Sequence, residues 1–258
     1  MFSKRGLIYR YFRAKEKALY RISDKIGCMS PANVEYLLKH NPEIPHDQVE
    51  ICPNAIIPHP VQDRTSKKRA LREKYGIPDE AIVYLYGGNL GKPQGIPFLV
   101  DCLKANMNLP DRYFIICGEG SEYGLLEDFI NTCKPGNVKL MRFLPKEEYD
   151  LLAAGCDVGL VFLDYRFTIP NFPSRILSYM ENEMPILVCT DAATDLGEIA
   201  EKNGFGVKCH SNDVGQFGTC MDKLDRSVVQ NMGRKAREFL EEHYLAKDCY
   251  AVIAGGKD

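Results

Sequence analysis

Short apolar runs alternate with amphipathic segments along most of this chain. From residue 66 onward the apolar runs are five to eight residues long, and each is followed by a stretch in which apolar residues recur every three or four positions. The runs are typical of buried strands, and the longer period is typical of helices. We therefore predict strands over 81–86, 112–117, 138–144, 156–163, 185–190 and 205–209, helices over 66–75, 96–105, 121–133, 146–154, 174–183 and 194–203, and two or three helices at the end.

This alternation of strands and helices predicts the fold class. Parallel strands need crossover connections, which are right-handed and place helices on both faces of the sheet. The predicted strands are nearly continuous apolar runs, as expected when both faces are covered. We predict an α/β protein with a doubly wound parallel sheet.

The chain begins with a different pattern. Residues 1–22 carry an imperfect apolar stripe among cations, which predicts a helix, and 25–30 is typical of a short strand. Ser30 and Pro31 suit the N-cap and first turn of a helix that runs to about residue 40.

A strand predicted over 48–56 leads into the proline-rich stretch 56–66, which is typical of a linker. We place a domain boundary in this stretch. An N-terminal helical and interdomain segment then covers residues 1–60, and the larger domain covers residues 61–258.

Composition limits the compartment. No apolar run reaches the ~18 residues that a membrane-spanning helix needs, and the N-terminus lacks the apolar stretch of a secretory signal. The ten cysteines contain no C-x-x-C pair and lie mostly in apolar runs, where cysteine acts as a small hydrophobic residue. We expect reduced cysteines and a cytoplasmic protein.

Charge is unevenly distributed along the chain. Residues 1–25 hold eight basic and two acidic side chains, whereas the whole chain has a net charge of −2. This segment is either a basic arm that faces an anionic surface or an acidic partner, or a solvated helix face. We expect no nucleic-acid partner.

The first of three candidate binding loops, GGNLGKPQG over 87–95, follows the first strand of the larger domain. An open parallel sheet binds ligands at the carboxyl ends of its strands, where loops lead into helix N-termini. Four glycines let the backbone approach a ligand, Asn89 and Gln94 can orient oxygen atoms, and Lys92 supplies positive charge. The alternative is a flexible turn.

The second loop, GEGSEYG, follows the strand 112–117. It resembles a dinucleotide fingerprint, but its glycine spacing differs and it lies in the second unit of the sheet. No acidic residue ends the next strand to hold a ribose. We interpret it as a tight turn under a ligand rather than as a nicotinamide or flavin site.

The third loop contains NFPSRILSYM and is the most informative of the three. Pro170 and Pro173 favour an extended loop, and Ser174 suits an N-cap. Arg175 then lies in the first helical turn, where a cation opposes the helix dipole. This mismatch favours a bound phosphate, although an exposed arginine paired with solvent or a carboxylate remains an alternative.

These loops, in this order, resemble the C-terminal, donor-binding domain of family-four retaining glycosyltransferases of the GT-B architecture, which has two Rossmann-like domains. The resemblance covers roughly residues 20–245. YGGNLGKPQGIPFLV, FIICGEGSEYGLLEDF and NVKLMRFLPKEEYDLLAAGCDVGLVFL are similar to successive units of that domain. NFPSRILSYM followed by PILVCTD is similar to a subgroup found among bacterial cell-surface polysaccharide enzymes.

The resemblance implies a hexosyltransferase-type enzyme whose donor is a nucleotide diphosphate sugar, most simply UDP-linked. Its acceptor would be a polysaccharide or a lipid-linked molecule. The basic segment 1–22 separately predicts peripheral contact with anionic membranes, where lipid-linked acceptors reside. No cofactor or metal is implied, and the five histidines lack ligand spacing. The implied donor-binding residues are Gly88, Asn89, Gly91, Lys92, Gln94, Gly118, Glu119, Gly120, Phe143, Leu144, Asn171, Pro173, Ser174, Arg175 and Ser178.

The sequence also departs from the family pattern. The basic residues of the first donor loop are replaced by Asn89 and Gln94, and the paired glutamates fall at Pro170 and Ser178. The residues before position 20 are too few for the acceptor domain, which implies a fragment or a partner chain, and a chain that is inactive alone. A nucleotide-sugar epimerase of this architecture and an inactive nucleotide- or partner-binding module remain alternatives.

Overall fold

A computed structural model describes residues 6–60 and 63–255. The strands are β1 (Ile26–Cys28), β2 (Val49–Ile51), β3 (Ile82–Asn89), β4 (Arg112–Glu119), β5 (Val138–Met141), β6 (Val158–Phe162), β7 (Ile186–Thr190) and β8 (Gly206–His210). The helices are α1 (Leu7–Ile22), α2 (Pro31–His40), α3 (Arg64–Tyr75), α4 (Ile96–Asn106), α5 (Tyr123–Cys133), α6 (Lys146–Gly155), α7 (Arg175–Glu181), α8 (Leu196–Lys202), α9 (Val214–Asp222), α10 (Arg226–His243) and α11 (Ala246–Ile253).

Six parallel strands form the main sheet in the order β5-β4-β3-β6-β7-β8. The chain winds outward in one direction from β3 and then in the other from β6, so the switch point lies between these two strands. Ligands of such sheets bind in the crevice at the carboxyl ends of the strands beside the switch point. The predicted doubly wound α/β fold is confirmed.

The core occupies both faces of the sheet because successive strand side chains point to opposite faces. On β3, Val83 and Leu85 join a cluster with residues of α3, α6, α7 and α10. Tyr84 and Tyr86 join a second cluster on the other face with residues of α4, α5 and α9. The nearly continuous apolar runs of the sequence follow from this burial.

Strand ends differ from the sequence prediction in several places. β3 and β4 run on to Asn89 and Glu119, because the glycines at their ends remain paired across the two strands. β5 stops at Met141, three residues early, and β2 stops at Ile51 instead of residue 56. Ile56 pairs with Leu245 instead, so this part of the chain bridges to the start of α11.

Two predicted helix starts have different outcomes. Ser30 caps α2, since its side chain accepts a hydrogen bond from the backbone N–H of Asn33 and Pro31 follows as the first helical residue. Ser174 does not cap α7, because its backbone is already helical and its hydroxyl makes no capping bond. Ser174 thus occupies the predicted position immediately before α7, but its side chain does not cap the helix.

The N-terminal part consists of α1 followed by a small βαβ unit in which β1 and β2 are parallel. Helix α1 has no buried residue. Its Arg13 pairs with Glu16 and its Lys17 with Glu43, each at 2.7 Å, so some cations of the predicted basic arm bind within the protein. Lys4 and Arg5 lie outside the described residues. The division at residue 60 stays a prediction.

An apolar face of α1 is exposed. None of the described helices is long and apolar enough to cross a membrane. The exposed large apolar side chains of α1 are Leu7, Ile8, Tyr11, Phe12, Leu19 and Ile22.

The cysteines are all present as free thiols. Six of them are buried in the core, which agrees with their position in apolar runs. Burial raises the pKa of Cys117 and raises that of Cys220 to about 11.

Candidate functional site

The candidate site lies where β3, β4 and α7 meet at the carboxyl edge of the sheet. Gly88 faces Arg175, the first residue of α7, and a Cβ atom at Gly88 would be 3.3 Å from the guanidinium carbon. The backbone of Gly88 has φ of +130°, a conformation that glycine adopts without strain. The structure thus brings together residues that are 87 positions apart in the chain.

Arg175 is the central charge of this site. Its guanidinium carbon lies 4.7 Å from the ring centroid of Tyr86, and its Nη1 atom is buried with no hydrogen-bond partner among the described residues. The predicted alternative of an exposed arginine paired with a carboxylate does not describe this geometry. A buried cation without a protein counter-ion is suited to bind an anion.

Two further tyrosines fix the backbone beneath Arg175. The N–H of Gly87 donates to the hydroxyl of Tyr179 at 3.1 Å, and that hydroxyl donates to the carbonyl of Leu160 at 3.3 Å. The hydroxyl of Tyr149 lies so close to Gly87 that no side chain fits there. Burial raises the pKa of Tyr179 to about 12 and that of Tyr149 well above its usual value, so both phenols stay neutral.

The first predicted loop is held by its own side chains. The amide nitrogen of Asn89 donates to Oε1 of Gln94 at 3.0 Å, and the N–H of Gly91 donates to the same oxygen at 3.3 Å. Lys92 is exposed at the start of a short 3-10 turn. Asn89 and Lys92 therefore face solvent at the crevice, while Gln94 mainly closes the turn.

Glycines of the second predicted loop permit close backbone contact. A Cβ atom at Gly118 would be 1.8 Å from the carbonyl oxygen of Gly88, and one at Gly120 would be 2.4 Å from the backbone of Leu90. The tight turn is therefore required by the packing of β4 against β3. Glu119 is exposed at the edge, where one oxygen lies 3.9 Å from Nη1 of Arg142.

Phe143 and Leu144 follow β5 at the same edge. The Phe143 side chain is 72% exposed, whereas Leu144 packs partly against the core. Next to them, the Arg142 guanidinium lies 4.4 Å from the ring centroid of Tyr123. Of the two predicted residues, Phe143 is the one whose side chain is free to contact a ligand.

The third predicted loop is anchored from two sides. The N–H of Asn171 donates to Oγ1 of Thr194 at 3.2 Å, and the side-chain amide of Asn33 donates to the carbonyl of Pro170 at 2.8 Å. Pro173 and Ser174 then lead into α7. Ser178 lies one turn after Arg175, and its buried hydroxyl has no partner among the described residues.

A separate cavity lies away from this site. It measures about 990 Å³ and opens near the amino ends of the strands, beside Arg64, Arg72 and Asp157. Arg72 pairs with Asp157 at 3.1 Å, and the Arg64 guanidinium donates to three backbone carbonyls. Burial lowers the pKa of Arg64. Because these charges are already satisfied within the protein, we interpret this cavity as structural.

Within residues 6–60 and 63–255, no group of three or more His, Cys, Asp or Glu side chains could hold a metal ion. Three tyrosines that surround Arg175 and the end of β3 were not predicted from the sequence: Tyr86, Tyr149 and Tyr179. Tyr86 immediately precedes the first glycine-rich loop, and this position was the available signal.

Comparison with known families decides the assignment. Residues 67–252 match the family model described as glycosyl transferases group 1. The chain belongs to this family. The predicted resemblance to glycosyltransferases is thereby confirmed, and the family's chemistry is sugar transfer.

One similar protein is the "Putative colanic acid biosynthesis glycosyl transferase WcaI" of Escherichia coli strain K12. It is 27% identical over 135 residues, which are 51% of this chain and 32% of that protein. The chain thus matches about a third of the length of this relative.

Solved structures share the fold at low sequence identity. HepE of Anabaena in complex with UDP superposes with a TM-score of 0.74 at 16% identity, over 98% of this chain and 69% of that one. WaaG, a glycosyltransferase involved in lipopolysaccharide biosynthesis, gives 0.71 at 16% identity with the same coverage. The six-stranded parallel sheet is therefore similar to those of GT-B glycosyltransferases.

Proposed function

We propose that this chain is the donor-binding half of a retaining glycosyltransferase and that its donor is a UDP-linked sugar. The observation that carries the proposal is the buried Arg175 guanidinium, whose Nη1 atom lacks a partner beside Gly88 at the switch-point crevice. Family membership and the UDP complex of HepE, which has the same fold, support it.

The proposed mechanism is electrostatic. As the bond between the sugar and the diphosphate breaks, negative charge grows on the diphosphate, and Arg175 stabilises it through charge-assisted hydrogen bonds. Lys92 adds positive charge from the first loop. In this proposal the cations of the protein supply the stabilisation, so activity is expected to persist in the presence of a chelator such as EDTA.

The remaining predicted residues surround this charge. Gly88, Gly118 and Gly120 keep the backbone of the crevice free of side chains. Ser178 has a free hydroxyl that suits a ribose oxygen, and Phe143 has an exposed ring that suits a base. Asn89, Gly91, Gln94, Glu119, Leu144, Asn171, Pro173 and Ser174 form the walls and supports of the proposed site.

We further propose that sugar transfer requires an acceptor domain from a longer chain or a partner. Enzymes of the two-domain architecture react donor with acceptor in a cleft between the domains, where proximity supplies much of the rate. The acceptor is proposed to be a polysaccharide or a lipid-linked molecule. The exposed apolar face of α1, with the cations around it, is proposed to contact an anionic membrane.

Calorimetry with UDP tests the donor site. We expect micromolar-to-millimolar binding, and Arg175→Ala should remove about 1.5–3 kcal/mol of binding free energy because a charge-assisted contact is lost. Arg226→Ala is the matched control, since it removes the same charge from an exposed position at the start of α10. Equal affinities of the two variants would place the phosphate elsewhere.

Product analysis tests the reaction. The chain is incubated with labelled UDP-sugars and acceptors, with and without an added acceptor domain. Transfer only when that domain is present supports the proposal. Robust transfer by this chain alone contradicts the half-enzyme proposal, and an epimerised donor sugar identifies an epimerase instead.

A further inference from the structure

Tyr86 occupies a position between the two halves of the candidate site. It is the residue of β3 just before Gly87, and its side chain is buried. Its ring lies under the Arg175 guanidinium with 4.7 Å between the ring centroid and Cζ. Its hydroxyl donates to the carbonyl of Asn89 at 2.8 Å. One side chain thus contacts both the first glycine-rich loop and the first residue of α7.

The Tyr86 ring stabilises the positive charge of Arg175. The guanidinium forms no ion pair with the described residues, and its Nη1 atom is buried without a hydrogen-bond partner. The negative face of an aromatic ring attracts a cation, and the attraction grows when water is excluded. The Tyr86 ring therefore stabilises the charge and also limits how closely the guanidinium approaches the backbone of Gly88.

The Tyr86 hydroxyl contacts the first glycine-rich loop. Asn89 ends β3 at the start of the glycine-rich loop, and its carbonyl accepts the hydrogen bond from the Tyr86 hydroxyl. The bond from Tyr86 fixes this carbonyl relative to the ring that carries Arg175. The spacing between the loop backbone and the guanidinium is thereby set by one rigid side chain that has only two rotatable bonds.

We propose that Tyr86 is a positioning residue for the donor diphosphate. The ring holds the Arg175 guanidinium beside Gly88, where its Nη1 atom has no partner among the described residues, and the hydroxyl holds the first glycine-rich loop. This inference rests on the proposed function, because it assumes that Arg175 binds the diphosphate of a nucleotide sugar.

Substitutions at position 86 separate the two roles. Tyr86→Phe keeps the ring and removes the bond to Asn89, whereas Tyr86→Leu removes the ring as well. Tyr84→Leu is the matched control, because Tyr84 lies two residues earlier on the same face of β3 and stacks on Phe114 at 5.4 Å. It is equally buried but lies away from Arg175.

Calorimetry with UDP gives the first readout. We expect Tyr86→Leu to weaken binding about tenfold and Tyr86→Phe about two- to threefold, in line with the strengths of desolvated cation–π contacts and neutral hydrogen bonds. Tyr84→Leu should retain the affinity of the unmodified chain. In the background of Arg175→Ala, Tyr86→Leu should cost only the two- to threefold that belongs to the hydroxyl, because the ring acts through Arg175.

The NMR signal of the Arg175 Nε–H group gives a readout that does not need UDP. The ring current of Tyr86 should shift this signal, and the shift should disappear in Tyr86→Leu but persist in Tyr84→Leu. If Tyr86→Leu does not fold, a trifluorinated phenylalanine at position 86 replaces it. That residue keeps the ring shape but withdraws its electron density, so UDP should bind several-fold more weakly to it than to Tyr86→Phe, which lacks the hydroxyl as well.

Failure of this inference differs from failure of the proposed function. If the unmodified chain does not bind UDP, the donor assignment is wrong, and the NMR comparison still decides whether Tyr86 holds the guanidinium. An Arg175 signal that is the same with and without the Tyr86 ring overturns the inference. So does UDP affinity that is unchanged in both Tyr86→Leu and the fluorinated variant while Arg175→Ala loses it.

Discussion

Gly118 and Gly88 show how two residues without side chains shape the candidate site. They lie opposite each other in the pairing of β3 with β4. A Cβ atom at Gly118 would be 1.8 Å from the carbonyl oxygen of Gly88, which is part of the backbone and cannot rotate away. Any larger residue at Gly118 must therefore shift the end of β3, which carries Gly88 beside Arg175.

Gly118→Ala should destabilise the fold and weaken UDP binding together. Overpacking costs about 1–3 kcal/mol of unfolding free energy, and here the neighbour that must yield is backbone. Urea denaturation and calorimetry measure the two effects. Gly124→Ala in α5 is the control, because a Cβ atom there meets nothing within 4 Å and alanine favours the helix by about 1 kcal/mol. A Gly118→Ala variant as stable as the unmodified chain would contradict the packing argument.

The sequence predicted Arg175 but not the residues that hold it. A cation in the first turn of a helix is a local mismatch, and a local mismatch is visible in the sequence. Tyr86 lies in an apolar run, where an aromatic residue has the same appearance whether it fills the core or carries a guanidinium. Its role depends on α7, which is distant in the chain, and only the tertiary structure brings the two together.

Helix α2 is tied by hydrogen bonds to the loops of the candidate site. The carboxylate of Asp195 accepts hydrogen bonds from the hydroxyl of Ser30 at 2.7 Å and from the N–H of Ala32 at 3.0 Å. From the next residue, the side chain of Asn33 reaches the carbonyl of Pro170. The N-terminal βαβ unit is thus connected to the loop that leads to Arg175.

Asp195→Ala should loosen α2 and this loop without unfolding the sheet. The loss of two hydrogen bonds to a carboxylate at a helix start costs about 1–3 kcal/mol locally. Hydrogen exchange should accelerate in α2 and in residues 164–174, while β3 and β4 stay protected.

Asp213→Ala provides the comparison, because Asp213 also caps a helix, α9, but makes no bond to the N-terminal unit. Its exchange should change in α9 alone. Unchanged exchange of α2 in Asp195→Ala would show that the tie contributes little to holding this unit.

The apolar pattern of the sequence predicts the strands of the main sheet better than it predicts their ends. All six strands of the main sheet were expected, since burial on both faces leaves a continuous apolar run. Their ends were less predictable, because β3 and β4 extend through Gly88 and Gly118 by pairing with each other. β2 ends early because Ile56 pairs with Leu245 near the other end of the chain, a contact that local patterns cannot indicate.

Helix α1 is the element whose removal should affect the donor site least. Its residues are not buried. Lys17 pairs with Glu43 at 2.7 Å, and Arg13 donates to the carbonyl of His40 at 3.0 Å. These contacts lie in the N-terminal part, away from β3 and α7. The proposed functions of α1 and of the crevice should therefore be separable.

A chain that lacks residues 1–22 should bind UDP like the full chain but lose binding to anionic vesicles. Each cation near such a surface contributes about 1 kcal/mol, and the contribution falls as salt screens it. Co-sedimentation with phosphatidylserine vesicles at two salt concentrations measures this, with neutral vesicles as the control. Equal vesicle binding by both chains, or binding that salt does not change, would contradict the membrane proposal.

The rates at which the buried thiols are labelled can report how often individual strands of the sheet open. Only a thiolate reacts with alkylating agents, and burial raises the pKa of Cys117 and Cys220. Cys117, Cys189 and Cys209 lie on β4, β7 and β8, so they sample the sheet from one side to the other. At neutral pH each would be labelled only as fast as its own strand opens, and a bound ligand that holds one side of the sheet closed would slow the thiols on that side alone.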